Sequence, residues 1–199
     1  VGGGVRNISE ADRLFRLGAD KISVNTAVVK NPEFLKTLVN TYGSSSIGVN
    51  VEVSKIGSRY EVLIETGRER TGLELFKWID KIQELNVGEI TVTDILREGR
   101  KKGFNIDLYK ELRKRVSTQL VAHGGAGTFE HIKNLFLETN VDAVSISSML
   151  HYNYLNKMDS KEVKGSTVFI NSIDNNSKNE NLINDLKLYL TKNGVLVRI

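Results

Sequence analysis

The chain has 199 residues, 40% of them hydrophobic and 26% charged, enough for one buried core and too polar for a membrane span. Its 28 Lys and Arg against 24 Asp and Glu give a formal charge of +4, scattered apart from Arg97, Arg100, Lys101 and Lys102, so a nucleic-acid partner, which wants a longer basic stripe with stacking aromatics, is not expected. With no cysteine, with His123, His131 and His151 spaced unlike a zinc helix, and with no charged leader running into an apolar segment, neither disulfide, metal, cofactor nor membrane attachment is expected, and the location expected is cytoplasmic.

The opening VGGGVRNISEADRLF sets Gly2, Gly3 and Gly4 before a helix predicted over 8–17, with Asn7 and Glu10 spaced as a capping box. KISVNT (21–26) reads as a strand, and Asn31 with Pro32 as the cap and first position of the next helix. SIGVNVEV (46–53) is a second strand, followed by a helix over about 72–85 and the strand EITVTDI (89–95). A helix over 106–116, the strand TQLVAH (118–123), a second glycine turn, a helix over 128–138 and the strand DAVSIS (142–147) complete the pattern. The five strands are nearly continuous in Val and Ile, as strands buried on both faces would be. Residues 157–181, rich in Asn, Ser, Lys and Asp, read as an exposed polar insertion adding little to the core, ahead of a last helix near 180–192 and a tail, 182–199 together. Strands alternating with helices predict an α/β domain with parallel strands and crossover helices.

The two glycine turns repeat at an offset of 122: Gly2, Gly3 and Gly4 fall on Gly124, Gly125 and Ala126, Asp20 on Asp142, Ile22, Ser23 and Val24 on Val144, Ser145 and Ile146, and Asn25 and Thr26 on Ser147 and Ser148. Four strand-helix units of about 30 residues separate the copies, the unit size of a (β/α)8 barrel, which runs to about 250 residues. The prediction is therefore a TIM barrel of the half-barrel-duplication type, N-terminally truncated, beginning inside its third strand, with about six strands present as a single domain. Glycines at the end of a barrel strand admit a ligand to the backbone, and the helix N-terminus beyond offers unpaired N–H groups to a phosphate. Asn25 with Thr26, and Ser147 with Ser148, would add side-chain donors, giving two cradles suited to a molecule phosphorylated at both ends. The plainer alternative is that the glycines only make tight strand-to-helix turns.

GGGVRNISEADRLFRLGADKISVNTAVVKNP, TGLELFKWIDKIQELNVGEI, AHGGAGTFEHI and LKLYLTKNGVLVRI resemble the cyclase subunit of imidazole glycerol phosphate synthase, a family of histidine biosynthesis, over nearly the whole chain except 157–181. The resemblance implies a lyase that takes ammonia from a partner glutaminase, through the barrel, to convert a bis-phosphorylated ribulosyl-formimino aminoimidazole carboxamide ribonucleotide into imidazole glycerol phosphate and AICAR. It implies one phosphate site at Gly3, Gly4, Asn25 and Thr26 with Ser148 nearby, and a second at Gly99, Gly124 and Gly125 with Ser147. It also assigns Lys21 and Glu89 to a charged ring passed by ammonia, Asp20 to the face meeting the glutaminase, and Glu52 to one of two acid-base positions.

The departures from the family pattern carry their own expectations. Glu52 stands where the family has Asp, and the added methylene moves the reacting oxygens by about an ångström, a displacement that can cost about a hundredfold in rate. The second aspartate belongs on a first strand outside this chain, so no acid-base pair is expected and the chain alone is expected to be inactive. His123 replaces a serine, either closing the strand as a polar residue or making an altered ligand contact, and Leu96 and Arg100 replace an acid and a small hydroxyl residue. Arg97, Arg100, Lys101 and Lys102 would clamp an anion or stay solvated. Two alternatives stand beside the cyclase: a paralogous subunit using glutaminase-derived ammonia to amidate a sugar for surface polysaccharide, and a catalytically silent scaffold that binds a glutaminase. Open edges and an apolar interior would make the isolated chain poorly soluble or oligomeric.

Overall fold

The computed structural model describes residues 1–155 and 182–198, so the segment read as a polar insertion, 157–181, lies outside the described residues. Helix α1 (Ile8–Arg16) starts where Asn7 Oδ1 accepts from the backbone N–H of Glu10 at 2.9 Å. The returning carboxylate of Glu10 takes the N–H of Arg6 at 2.6 Å rather than that of Asn7, so the capping box is displaced by one residue. The first strand, β1 (Ile22–Val24), leads into a short helix α2 (Thr26–Lys30), and α3 (Pro32–Tyr42) opens with proline at its first position, where no N–H is needed.

Then follow β2 (Ile47–Ile56), a hairpin of β3 (Arg59–Ile64) and β4 (Glu69–Glu74), α4 (Leu75–Glu84), β5 (Glu89–Asp94), α5 (Ile106–Arg115), β6 (Gln119–His123), α6 (Phe129–Thr139), β7 (Ala143–Ser145), α7 (Ser148–Leu155) and α8 (Leu182–Lys192). Strands β1, β2, β5, β6 and β7 pair in parallel, and Gly2 adds a parallel bridge to Ser23, so six parallel strand positions stand side by side. This is an α/β fold with a mostly parallel sheet, consistent with a truncated (β/α)8 barrel. Among the described residues no helix is long and apolar enough to cross a membrane.

Three sequence expectations are corrected. The helix expected from 72 starts at Leu75, because Glu69–Glu74 pair antiparallel with β3 and Glu74 becomes the N-cap, accepting from Lys77 N at 3.0 Å. The last parallel strand covers Ala143–Ser145 only, since Ser148 already begins α7. Most consequentially, the strands are not apolar on both faces. Ile22, Val24, Ile47, Val49, Val51, Val53, Ile90, Val92, Leu120 and Ala122 are buried on the helix side, joining Leu35, Leu38, Trp78, Ile79, Leu108, Leu112 and Leu135 in one core. Each such side chain contributes about 1.5–3 kcal/mol. The residues between them face the barrel axis and are mostly polar: Ser23 on β1, Asn50 and Glu52 on β2, Glu89, Thr91 and Thr93 on β5, Gln119 and His123 on β6. Ser23 Oγ donates to Asn50 Oδ1 at 2.8 Å, so the inner face is a hydrogen-bonding surface, and the apolar interior expected to drive aggregation is not present on it.

Candidate active site

Strand β1 stops at Val24, and the edge of β2 it had paired with is taken over from Glu52 onward by β3, running antiparallel. The hairpin tip therefore leans over the C-terminal end of β1. Beneath it lies a cavity of about 620 Å³ lined by Gly3, Gly4, Asn25, Thr26 and Glu52, five residues singled out in the sequence, together with Arg6, Lys30, Glu65 and Thr66. Gly3 and Gly4 have φ of +99° and +76°, and no atom lies within 4 Å of where their side chains would be, so this backbone is open to a ligand.

The tip is fastened to the site by three polar contacts. Thr26 Oγ1 accepts from Glu65 N at 3.1 Å, Lys30 Nζ meets Glu65 Oε1 at 3.0 Å, and Glu52 Oε2 accepts from Gly67 N at 2.9 Å. Glu65 and Thr66 make this turn with φ of +51° and +60°, a left-handed conformation costing about 1 kcal/mol or more for each non-glycine residue. Asn25 Oδ1 is buried without a hydrogen-bond partner, a deficit of about 1–3 kcal/mol that a ligand donor would remove. Arg6 and Lys30 bring two cationic side chains to the same cavity, Lys30 paired with Glu65.

The second glycine turn is built differently. Gly124 and Gly125 are buried with φ of +93° and +117°, and a Cβ on Gly125 would sit 2.3 Å from the carbonyl oxygen of Gly103. Gly103 N donates to Gly125 O at 2.8 Å, so the loop after β5 lies directly on this turn. Gly99 is exposed on that loop, Ser147 is exposed and Ser148 opens α7; none of these residues lines the cavity under the hairpin. The two copies of the repeat thus diverge, open in the first and filled by the chain's own backbone in the second. Of the cationic cluster, Arg97 is spent on the carbonyls of Lys102 and Gly103, at 3.4 and 3.1 Å, and Lys101 stands 3.7 Å above the Tyr152 ring, while Arg100 and Lys102 are exposed.

Close to the second turn is an array that sequence reasoning missed. His123 Nδ1 lies 3.1 Å from Thr93 Oγ1, and His123 Nε2 lies 3.4 Å from Glu98 Oε2. The buried Tyr109 hydroxyl shares its hydrogen between Val92 O and His123 O, at 2.8 and 2.9 Å, and accepts from His123 N at 3.1 Å. Burial pushes the Tyr109 phenol far above its ordinary range. The sequence signals were His123 itself, read as closing its strand or making an altered ligand contact, and Thr93 near the end of the neighbouring predicted strand. At the other end of the sheet, Lys21 Nζ and Glu89 Oε2 stand 2.7 Å apart with side chains 36% and 21% exposed, and Asp20 is exposed beside them. Among the described residues no three His, Cys, Asp or Glu side chains gather as metal ligands.

A histidine biosynthesis protein family matches residues 1–156 of the chain. The chain is similar to the imidazole glycerol phosphate synthase subunit HisF of Pyrobaculum aerophilum, with 41% identity over 155 residues, covering 78% of this chain and 61% of the relative. It is also similar to the subunit of the same name from Alkaliphilus metalliredigens, 35% identical over 154 residues with 77% and 61% covered, and from Chlorobium phaeovibrioides, 39% identical over 152 residues with 76% and 61% covered. The chain therefore spans about 61% of the length of the curated relatives it matches.

Proposed function

We propose, since this chain belongs to the histidine biosynthesis protein family, that it carries the ammonia-using cyclase chemistry of an imidazole glycerol phosphate synthase. The observation that supports this most is the gathering of Gly3, Gly4, Asn25, Thr26 and Glu52 around one cavity at the C-terminal ends of parallel strands, the end where barrel folds keep their chemistry. One phosphate of a doubly phosphorylated substrate would rest on the open Gly3–Gly4 backbone, with Thr26, Arg6 and Lys30 as donors. Glu52 would take up a proton during cyclisation. Its carboxyl oxygen accepts from Gly67 N, a bond that holds the group in a single orientation.

Ammonia from a glutaminase partner would enter past Lys21 and Glu89, with Asp20 on the docking face, and travel along the polar inner surface past Ser23, Asn50 and Thr91. The second phosphate would lie toward Gly99, Gly124, Gly125, Ser147 and Ser148 once the loop after β5 moved off the turn. In a protein that carries the second, first-strand aspartate as well as this chain, the deciding assay supplies the bis-phosphorylated ribulosyl aminoimidazole carboxamide ribonucleotide with ammonium and follows AICAR release. Glu52→Gln should lower turnover by about 10²- to 10⁴-fold, and Glu52→Asp should retain or raise it. A Glu52→Gln variant as fast as its parent would overturn the assignment.

A further inference from the structure

The bonds that fasten the β3–β4 tip all engage groups of the cavity beneath it. Lys30 Nζ pairs with Glu65 Oε1 at 3.0 Å, Glu65 N donates to Thr26 Oγ1 at 3.1 Å, and Gly67 N donates to Glu52 Oε2 at 2.9 Å. A carboxylate of the chain itself therefore stands on Lys30, and the backbone two residues further on occupies an oxygen of Glu52. The charges of the lining balance, Arg6 and Lys30 against Glu52 and Glu65. A phosphate gains little attraction from so balanced a wall; with Glu65 swung out, a positive charge is left over for it.

The tip is held by weak bonds in a costly conformation. The Lys30 and Glu65 side chains are 55% and 45% exposed, and an exposed pair of this kind shifts an equilibrium by at most about fivefold. Glu65, Thr66 and Gly67 follow one another at φ of +51°, +60° and +74°, a left-handed run whose strain in the two non-glycine residues opposes those bonds. Arg68 N donates to Ile64 O at 3.1 Å across the base of the turn, so the tip is a closed unit that an anion can dislodge without unpairing β3 from β4.

We infer that Glu65 is an internal stand-in for the substrate's phosphate, and that an anion taking Lys30 displaces the tip and draws Gly67 N off Glu52; the inference rests on reading this cavity as the substrate site. Binding at one wall is thereby coupled to release of the carboxylate at the other, and Glu52 is freed when a phosphorylated molecule is in place. The exchange is non-covalent: the ion pair and the bonds of the tip are given up for bonds to the anion. Such coupling is reciprocal, so whatever loosens the tip also tightens the anion.

The test uses the 199-residue chain, inorganic phosphate and amide hydrogen exchange followed by NMR. Ionic strength is held constant with chloride, so that screening is the same throughout, and rates are taken relative to Gly57 in the exposed turn between β2 and β3. Saturating phosphate should speed exchange at Glu65 N and Gly67 N by about threefold to fivefold, the scale of one exposed ion pair. Glu65→Gln should raise the same rates without phosphate, make them insensitive to it, and tighten phosphate binding in calorimetry by a similar factor. Lys30→Gln should also raise the rates but weaken binding. Phosphate that binds while exchange at Gly67 stays constant or slows would overturn the inference, as would a Glu65→Gln chain with the parent's rate at Gly67, or absence of phosphate binding in both. A tip that responds, in a chain whose counterpart carrying both acidic residues releases no AICAR, supports the latch and rejects the cyclase reading instead.

Discussion

Tyr109 is wholly buried, yet its hydroxyl bridges β5 at Val92 and β6 at His123, beside the points where Thr93 and His123 emerge. Removing that oxygen leaves His123 N without its acceptor, so Tyr109→Phe should cost about 1–3 kcal/mol in denaturant unfolding at neutral pH. The phenol also sets an alkaline limit. Desolvation, aided by Asp94 and Glu98, raises its ionisation above the ordinary 10.0, so an unfolded chain loses this proton more readily than the folded one. Its stabilising effect is complete below pH 10 and is lost as pH rises further, and Tyr109→Phe should remove that part of the alkaline decline. At the open glycine turn, Thr26→Val should weaken inorganic phosphate binding by about tenfold in calorimetry, the scale of one hydrogen bond to a charged group. Unchanged affinity would remove Thr26 from the phosphate site.

Among the elements, the β3–β4 hairpin and the turn after β6 do opposite things with glycine. Gly4 faces empty space with φ of +76°, whereas Gly125 supports the loop after β5 with a carbonyl oxygen 2.3 Å from its would-be side chain. Gly4→Ala should therefore cost only the left-handed strain, about 1–2 kcal/mol. Gly125→Ala meets the Gly103 backbone directly, must displace the loop after β5, and should cost more than about 3 kcal/mol. Calorimetric melting of the two variants decides this, and equal melting temperatures would mean that the loop gives way easily. The hairpin was illegible in the sequence because RYEVLIETGRERTGLE alternates weakly and turns at Glu65 and Thr66, residue types that seldom adopt a left-handed backbone. The segment closes the site only because β1 is short and leaves an edge of β2 free.

At the scale of the molecule, one polar inner face runs from Lys21 and Glu89 at one end of the sheet to Glu52 and His123 at the other. If ammonia follows it, Lys21→Met should lower glutamine-driven turnover in the presence of a glutaminase while sparing ammonium-driven turnover, because excess ammonium reaches the site from solvent. Both activities falling together would point to a folding defect instead. That defect should be small, since the pair is a fifth to a third exposed and worth about 1 kcal/mol.

The order of the parallel strands and their crossover helices, the repeated glycine turns and the identity of Asn25, Thr26 and Glu52 were determined by the sequence alone, because caps, periodicity and spacing are local properties of the chain. The polarity of the inner face was visible too, in the alternation of GVNVEV and ITVTD, but Val and Ile on the other face masked it. Only the tertiary structure decided that one glycine turn is open and the other filled, and that Glu52, Thr93 and His123 share a row. Those facts depend on register between strands tens of residues apart, and register is settled by packing across the whole sheet, where a shift of one residue would turn every side chain to the opposite face.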